Sequence, residues 1–187
     1  VWQDRLYVSS DTTTDVRYWN GSAWTNPSIA LSDSDAQHPL EVMGNFSNGH
    51  LVVAENNTVK RYDTSHSLTA TLTINNNYQI TGTKYRNKFL YVATKALDGG
   101  EAKMFAWNGT STSPQEEYGC GSVWIFAVEE YDSSMVIVTS AGRLLRFNGG
   151  GFDELAVFPV YTSPYRWTNT VTSSIGKVHM RGMKADG

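Results

Sequence analysis

Cysteine is almost missing from this chain: Cys120 is the only one in 187 residues. An internal disulfide is therefore excluded, and with it the small secreted scaffolds stapled by several bridges. Charge is scarce as well. Asp, Glu, Lys and Arg make up 18% of the residues and sum to −3, against ~25% charged residues in an average domain. Nucleic acid is not an expected partner, because neutralising phosphates takes a dense Lys/Arg footprint. No apolar run approaches the ~18 residues of a membrane helix, and lipidation motifs are missing, so no membrane insertion is expected. No segment joins a helix cap to an amphipathic helical period of useful length. The chain opens on Val1 without the basic and apolar regions of a signal peptide, as expected of an excised segment or a processed product.

Aromatic residues, by contrast, are plentiful, with 6 Trp, 10 Tyr and 7 Phe. They mark a recurring phrase in which a short strand ends in an aromatic followed by Asn-Gly or a close substitute. The copies are Val16-Arg17-Tyr18-Trp19-Asn20-Gly21, Val59-Lys60-Arg61-Tyr62-Asp63-Thr64, Met104-Phe105-Ala106-Trp107-Asn108-Gly109 and Leu144-Leu145-Arg146-Phe147-Asn148-Gly149. Trp19, Tyr62, Trp107 and Phe147 stand 43, 45 and 40 residues apart. They vary in type but keep their place, as packing residues do. Gly21, Gly109 and Gly149 supply the turn, and Asn-Gly suits a two-residue type I′ hairpin because both central residues need positive φ.

A second series keeps the same period. Leu6-Tyr7-Val8, Leu51-Val52-Val53-Ala54, Leu90-Tyr91-Val92-Ala93, Val136-Ile137-Val138 and Val178-His179-Met180 begin 45, 39, 46 and 42 residues apart. Their apolar residues are consecutive instead of alternating, which calls for burial on both faces of a sheet. Turn signals at Asn48-Gly49, Arg86-Asn87, Asp132-Ser133 and Ile175-Gly176 precede or follow these runs, as do Asn56-Asn57, Asp98-Gly99-Gly100 and Ala141-Gly142.

Repeats of 40 to 45 residues built from four short strands resemble the blades of β-propellers. The resemblance covers nearly the whole chain. The Gly-His and Trp-Asp pairs of WD40 repeats, the kelch double glycine and the sialidase Asp box are all missing. The Trp-Asn-Gly hairpins and the Thr/Asn-rich surface are similar in style to bacteriophage tail propellers. The expected fold is all-β, with four-stranded antiparallel blades. The expected repeats are residues 1–36 (last three strands), 37–77, 78–121, 122–165 and the start of a fifth at 166–187. That makes 17 strands, about four and a half blades of a larger ring, opening inside a blade at its second strand.

Nothing in the motifs points to catalysis. His38, His50, His66 and His179 lie in different repeats without metal spacing, as scattered surface or turn histidines. Ser32-Asp33-Ser34-Asp35 with His38, and Asp98-Gly99-Gly100-Glu101, have the composition of polar turns. A glycosidase-like enzyme would draw on Glu116, Glu117, Glu129, Glu130 and Asp132, but adjacent strand carboxylates point to opposite faces. Cys120, between two glycines, is expected to be small buried packing. Trp24, Trp124, Trp167 and Tyr165 are the candidate ligand platforms, the last two in an irregular stretch from Tyr161 to Asn169. The expected function is a non-enzymatic structural or interaction module of a virion, such as a phage tail, or of an extracellular assembly. Its partners would be other protein subunits or the remainder of the same propeller, with no cofactor or metal. Carbohydrate binding is the alternative, with surface glycans as ligand.

Overall fold

The computed structural model of the chain describes residues 1–9, 14–32, 38–45 and 47–158 in full, and the backbone of residues 165–174 and 177–184. These residues hold 17 strands and no helix. Leu6–Ser9 (β1), Val16–Trp19 (β2) and Trp24–Thr25 (β3) form a three-stranded antiparallel sheet. Leu40–Met43 (β4), His50–Glu55 (β5), Thr58–Tyr62 (β6) and Leu68–Thr73 (β7) form the second sheet. Tyr78–Arg86 (β8), Phe89–Ala96 (β9), Lys103–Trp107 (β10) and Glu116–Gly119 (β11) form the third. Ile125–Tyr131 (β12), Ser134–Thr139 (β13), Arg143–Phe147 (β14) and Phe152–Val157 (β15) form the fourth. Tyr165–Ser174 (β16) and Lys177–Lys184 (β17) pair as a fifth, two-stranded sheet. Each sheet is a simple meander, so this is an all-β, incomplete β-propeller of four-stranded blades.

The apolar runs are buried as consecutive residues require. Leu51 to Ala54 on β5 and Met135 to Val138 on β13 are all buried, because another sheet covers each face. Three hydrophobic clusters lie between successive blades. One joins Tyr7, Val16 and Ile29 to Val42, Leu51 and Tyr62. The next joins Val52, Val59 and Leu72 to Leu90, Phe105 and Trp107. The third joins Ala93, Met104 and Cys120 to Ile137, Leu145 and Phe147. In each cluster the third-strand aromatic reaches back to the blade before it. Trp107 is 0% exposed, and its indole N–H donates to the Ser111 carbonyl at 2.7 Å.

Trp19 holds the same place in the first blade, opposite Leu6, as Tyr62 does opposite Leu51 and Trp107 opposite Leu90. It was expected to pack between blades, yet it is 38% exposed. The reason is geometric: no described residue forms a sheet on the side of β1–β3 that Trp19 faces.

The turns also correct the sequence expectation. After each aromatic, the Asn or Asp side chain closes the loop by accepting backbone N–H groups two to four residues on, an Asx arrangement. Asn20 accepts from Ser22 and Ala23 at 3.0 and 2.9 Å. Asn108 accepts from Thr110 and Ser111 at 2.9 and 3.1 Å, Asn148 from Gly150 and Gly151 at 3.1 and 3.0 Å, and Asp63 from Ser65 and Ser67, both at 2.9 Å. In the three Asn-Gly loops only the glycine takes positive φ, at 102°, 84° and 96° for Gly21, Gly109 and Gly149, whereas His66 at 62° does so in the Asp63 loop. The two-residue turns with both φ positive fall elsewhere and contain no glycine: Asn87-Lys88 (one residue later than expected), Asp132-Ser133 and Gln3-Asp4. Gln3-Asp4 lets Trp2 pair with Arg5 through two 3.0 Å backbone hydrogen bonds. This single bridge lies ahead of β1 and outside the three-stranded sheet. Tyr165 to Asn169, within the stretch expected to be irregular, belong to β16, whose pairing with β17 shifts register between Trp167 and Val171. The Ile175-Gly176 turn lies outside the described residues.

Candidate functional site

The first strands of successive blades, β4, β8, β12 and β16, meet one another from blade to blade, whereas the main contacts of β7, β11 and β15 stay within their own sheets. The first strands therefore line the axis of the ring, where propellers have their central channel. The pairing register places Glu41 opposite Val52, Lys84 opposite Tyr91 and Glu129 opposite Val136. These are equivalent positions in three blades, and they carry −, + and − charge.

The Lys84 ammonium pairs with the Glu129 carboxylate at 2.7 Å. Burial opposes the charge on Lys84, but the hydrogen bond and charge of Glu129 outweigh it and hold the Lys84 pKa above the usual lysine range. Closer to the turn, Arg86, two residues after Lys84, pairs with Glu130 at 3.1 Å and also donates to the Ser133 carbonyl. Glu129 and Glu130 point to opposite faces, as adjacent strand residues must, yet both bind cations of β8. Glu41 differs. Its carboxyl is pushed above the usual carboxylate range by burial, which outweighs a hydrogen bond from the Val42 N–H and the field of Lys84. Among the described residues no Lys or Arg lies within ion-pair distance of it.

At the other end of the blades Glu55 is buried on β5. It accepts from the Ser32 N–H at 2.6 Å and the Ser32 hydroxyl at 3.0 Å, and it binds the Lys60 ammonium. Burial alone would raise its pKa, but these donors hold it below the usual range. This carboxylate therefore clamps the crossing between the first two blades. Between those blades the Tyr7 hydroxyl meets His66 Nε2 at 2.8 Å, the Tyr18 ring stacks on His66 at 5.8 Å and 9°, and the Arg5 guanidinium covers Tyr18 at 4.6 Å. Burial lowers the His66 pKa, and Arg5 adds to the effect.

The expected ligand platforms meet different fates. Trp24 is 49% exposed and lies edge-on to Trp19 at 5.6 Å. With Leu6, 50% exposed, the two indoles form one row across β1, β2 and β3. The Trp124 ring is instead covered, by the Lys95 ammonium at 4.8 Å and by Phe126 at 4.5 Å. Trp167 and Tyr165 lie on β16, on the strand that meets β12.

Asp33 to Asp35 lie outside the described residues, and Ser32 serves Glu55. His38 is buried, contrary to the expectation of a surface or turn residue. Asp98 closes its own turn by accepting from the Gly100 N–H at 2.9 Å. Glu117 pairs with Lys103 at 2.6 Å on the outer strands. Among the described residues no group of three or more His, Cys, Asp or Glu is placed to hold a metal, and no helix is long and apolar enough to cross a membrane. Sequence reasoning passed over Glu41 and Lys84 and gave His66 no role beyond a scattered surface or turn histidine. Counting each first strand back from its turn would have aligned Lys84 with Glu129, but nothing local in the sequence singles out His66.

No protein-family model matches the chain, and no relative is found among curated proteins. In structure it is similar to virginiamycin B lyase from Staphylococcus aureus, with TM-score 0.66 and 10% identity, covering 95% of this chain and 66% of that one. It is similar to BBS1N in complex with ARL6DN, with TM-score 0.61 and 15% identity over 88% and 55% of the two chains. It is also similar to BamB from Moraxella catarrhalis, with TM-score 0.55 and 12% identity over 82% and 45%. The chain thus spans 45% to 66% of the lengths of these proteins. Such identities establish the propeller fold alone, since propellers host unrelated functions.

Proposed function

We propose that this chain is a non-enzymatic β-propeller module that holds protein partners, as a component of a virion such as a phage tail or of an extracellular assembly. The exposed face of the first blade would carry the contact, with other protein subunits or with the remainder of the same propeller. Leu6, Trp19 and Trp24 form an exposed apolar row whose counterparts Leu51, Tyr62, Leu90 and Trp107 are buried against a neighbouring sheet. An apolar row of this kind favours covering by another protein surface. The complex in which BBS1N is found supports the same role. The non-enzymatic part draws on the axial groups, where Lys84, Arg86, Glu129 and Glu130 neutralise one another. The low-charge composition supports placement in a virion or outside the cell.

The test is sedimentation of the chain across concentration. Association is expected at micromolar concentration and is lost in Trp19→Lys/Trp24→Lys with unchanged circular dichroism. A chain that stays monomeric at the highest soluble concentration counts against the protein-contact role. Carbohydrate binding remains the second reading, favoured by the exposed Trp24 ring beside Asn20 and Asn26. Glycan-array binding lost in Trp24→Ala would move the function there.

A further inference from the structure

Among the described residues, the arginines differ in how their charge is met. Arg17, Arg86, Arg143 and Arg146 pair with carboxylates, and Arg5 covers the Tyr18 ring. Arg61 has no described carboxylate within ion-pair distance, and its one acceptor is Thr69 Oγ1, 3.1 Å from Nε. The repeat shows what it lacks. Arg61 and Arg146 hold the same place, one residue before the third-strand aromatics Tyr62 and Phe147. Opposite Arg146 in the antiparallel pair stands Asp153, which takes the guanidinium at 3.4 Å. Opposite Arg61 stands Ala70. Thr69 holds Nε instead, and its hydroxyl donates in turn to the Arg61 carbonyl at 3.0 Å. The guanidinium is thus oriented within its own sheet, with both Nη groups left to donate.

The surroundings of Arg61 come from two four-stranded blades. Nη1 lies against Gly109 of the third blade, where a Cβ would come within 3.1 Å of Nη1 and 2.8 Å of the Met43 methyl group. The loop that supplies Gly109, residues 108–115, carries no charged residue, so it offers Arg61 no counter-ion. Burial lowers the Arg61 pKa with nothing to offset it. His50 of β5 stands near: burial chiefly, and then the Arg61 charge, oppose its protonation, while Asp63 favours it. Asp63 is itself engaged by the Ser65 and Ser67 N–H groups of its own loop and makes no ion pair with Arg61. A half-buried cation of this kind lacks the pairing that offsets its desolvation.

We propose that Arg61, with His50 beside it, is the seat of an oxyanion, a phosphate or carboxylate group held between the second and third blades. The two Nη groups donate to its oxygens as a planar fork, and His50 adds a donor when protonated. This seat is separate from the exposed row of the first blade and does not depend on the role proposed for that row.

The test titrates the 187-residue chain with inorganic phosphate, and in parallel with acetate, at an ionic strength held constant with sodium chloride. The His50 ring and Arg61 Nε–H resonances are followed by NMR. Saturable shifts with a dissociation constant of about 1 mM are expected for a few charge-assisted hydrogen bonds. Bound phosphate should also move the His50 titration to higher pH, because the anion favours the imidazolium that Arg61 opposes. Arg61→Lys keeps the charge and loses the fork, so it should weaken binding about tenfold. Ala70→Asp supplies the carboxylate that the fourth blade has in Asp153, and it should abolish binding with unchanged circular dichroism. Should Ala70→Asp unfold, Arg61→Lys alone decides. Binding of either oxyanion that responds to these substitutions supports the proposal. It is overturned if neither oxyanion gives a saturable shift, if chloride alone reproduces the shifts, or if the folded variants bind phosphate as the parent does.

Discussion

Replacing the third-strand aromatic by alanine in two blades isolates what a neighbouring blade contributes. Trp107 and Trp19 hold equivalent places, but Trp107 is 0% exposed and Trp19 38%. Removing a fully buried Trp costs about 3–5 kcal/mol through lost transfer energy and the cavity left behind. Trp107→Ala also loses the 2.7 Å hydrogen bond to the Ser111 carbonyl. Trp19 keeps an edge contact with Trp24 at 5.6 Å, worth about 0.5–1.5 kcal/mol, and little else, so Trp19→Ala is expected to cost about 1 kcal/mol. The difference of about 3 kcal/mol corresponds to a gap of roughly 6–12 °C between the two unfolding midpoints in a chain of this size. Thermal melts followed by circular dichroism at one protein concentration measure it. Equal midpoints for the two variants would refute the assignment of these aromatics to the contact between blades.

Glu41→Gln removes a carboxylate whose pKa is raised in the folded state by burial. A raised carboxylate favours the protonated form, so its stability contribution is present at acid pH and lost as pH rises through its folded value. The variant is expected to be more stable than the parent at pH 7 and equal to it at pH 3, by urea titration. Glu55 has the opposite sign, since its donors lower its pKa despite burial. Its contribution is present above the usual Glu range and lost as pH falls through the folded value, so Glu55→Gln should destabilise by about 1–3 kcal/mol at pH 7, with a loss that shrinks on acidification. Cys120 is 4% exposed and its pKa is pushed by burial to about 11; at pH 8 it should react with a thiol reagent only as the chain unfolds. Fast labelling of the native protein at that pH would place Cys120 outside the core.

Much of the fold is legible from short-range chemistry. The runs at Leu51 to Ala54 and Val136 to Val138 read as strands buried on both faces because no exposed strand tolerates that many consecutive apolar residues. The strand count follows from these runs, the aromatic phrases and the turns between them. The turn types were harder to read. Asn-Gly is compatible with a type I′ turn, but an Asn side chain that captures two backbone N–H groups satisfies the loop without taking positive φ itself, and the glycine alone absorbs the unusual dihedral. Asn87-Lys88 and Asp132-Ser133 make the tighter turn without glycine because the pairing on either side, Arg86 with Phe89 and Tyr131 with Ser134, holds them there.

The environment of each repeated residue was not legible, because the repeat rule assigns a position and only the neighbouring blade assigns a burial. The phrase around Trp19 reads like the one around Trp107, yet one indole faces outward and the other is sealed. The same logic governs charge. Lys84 is one residue among many until β8 sets it beside Glu129, and Glu41 becomes distinctive only because it is buried without an ion-pair partner among the described residues. The candidate contact feature of this chain is therefore a repeated position whose described surroundings differ: the apolar row of Leu6, Trp19 and Trp24 on one face of the first blade. A protein subunit, or the remainder of the same propeller, that laid an apolar sheet face on this row would extend to the first blade the contacts that the other described blades make for one another.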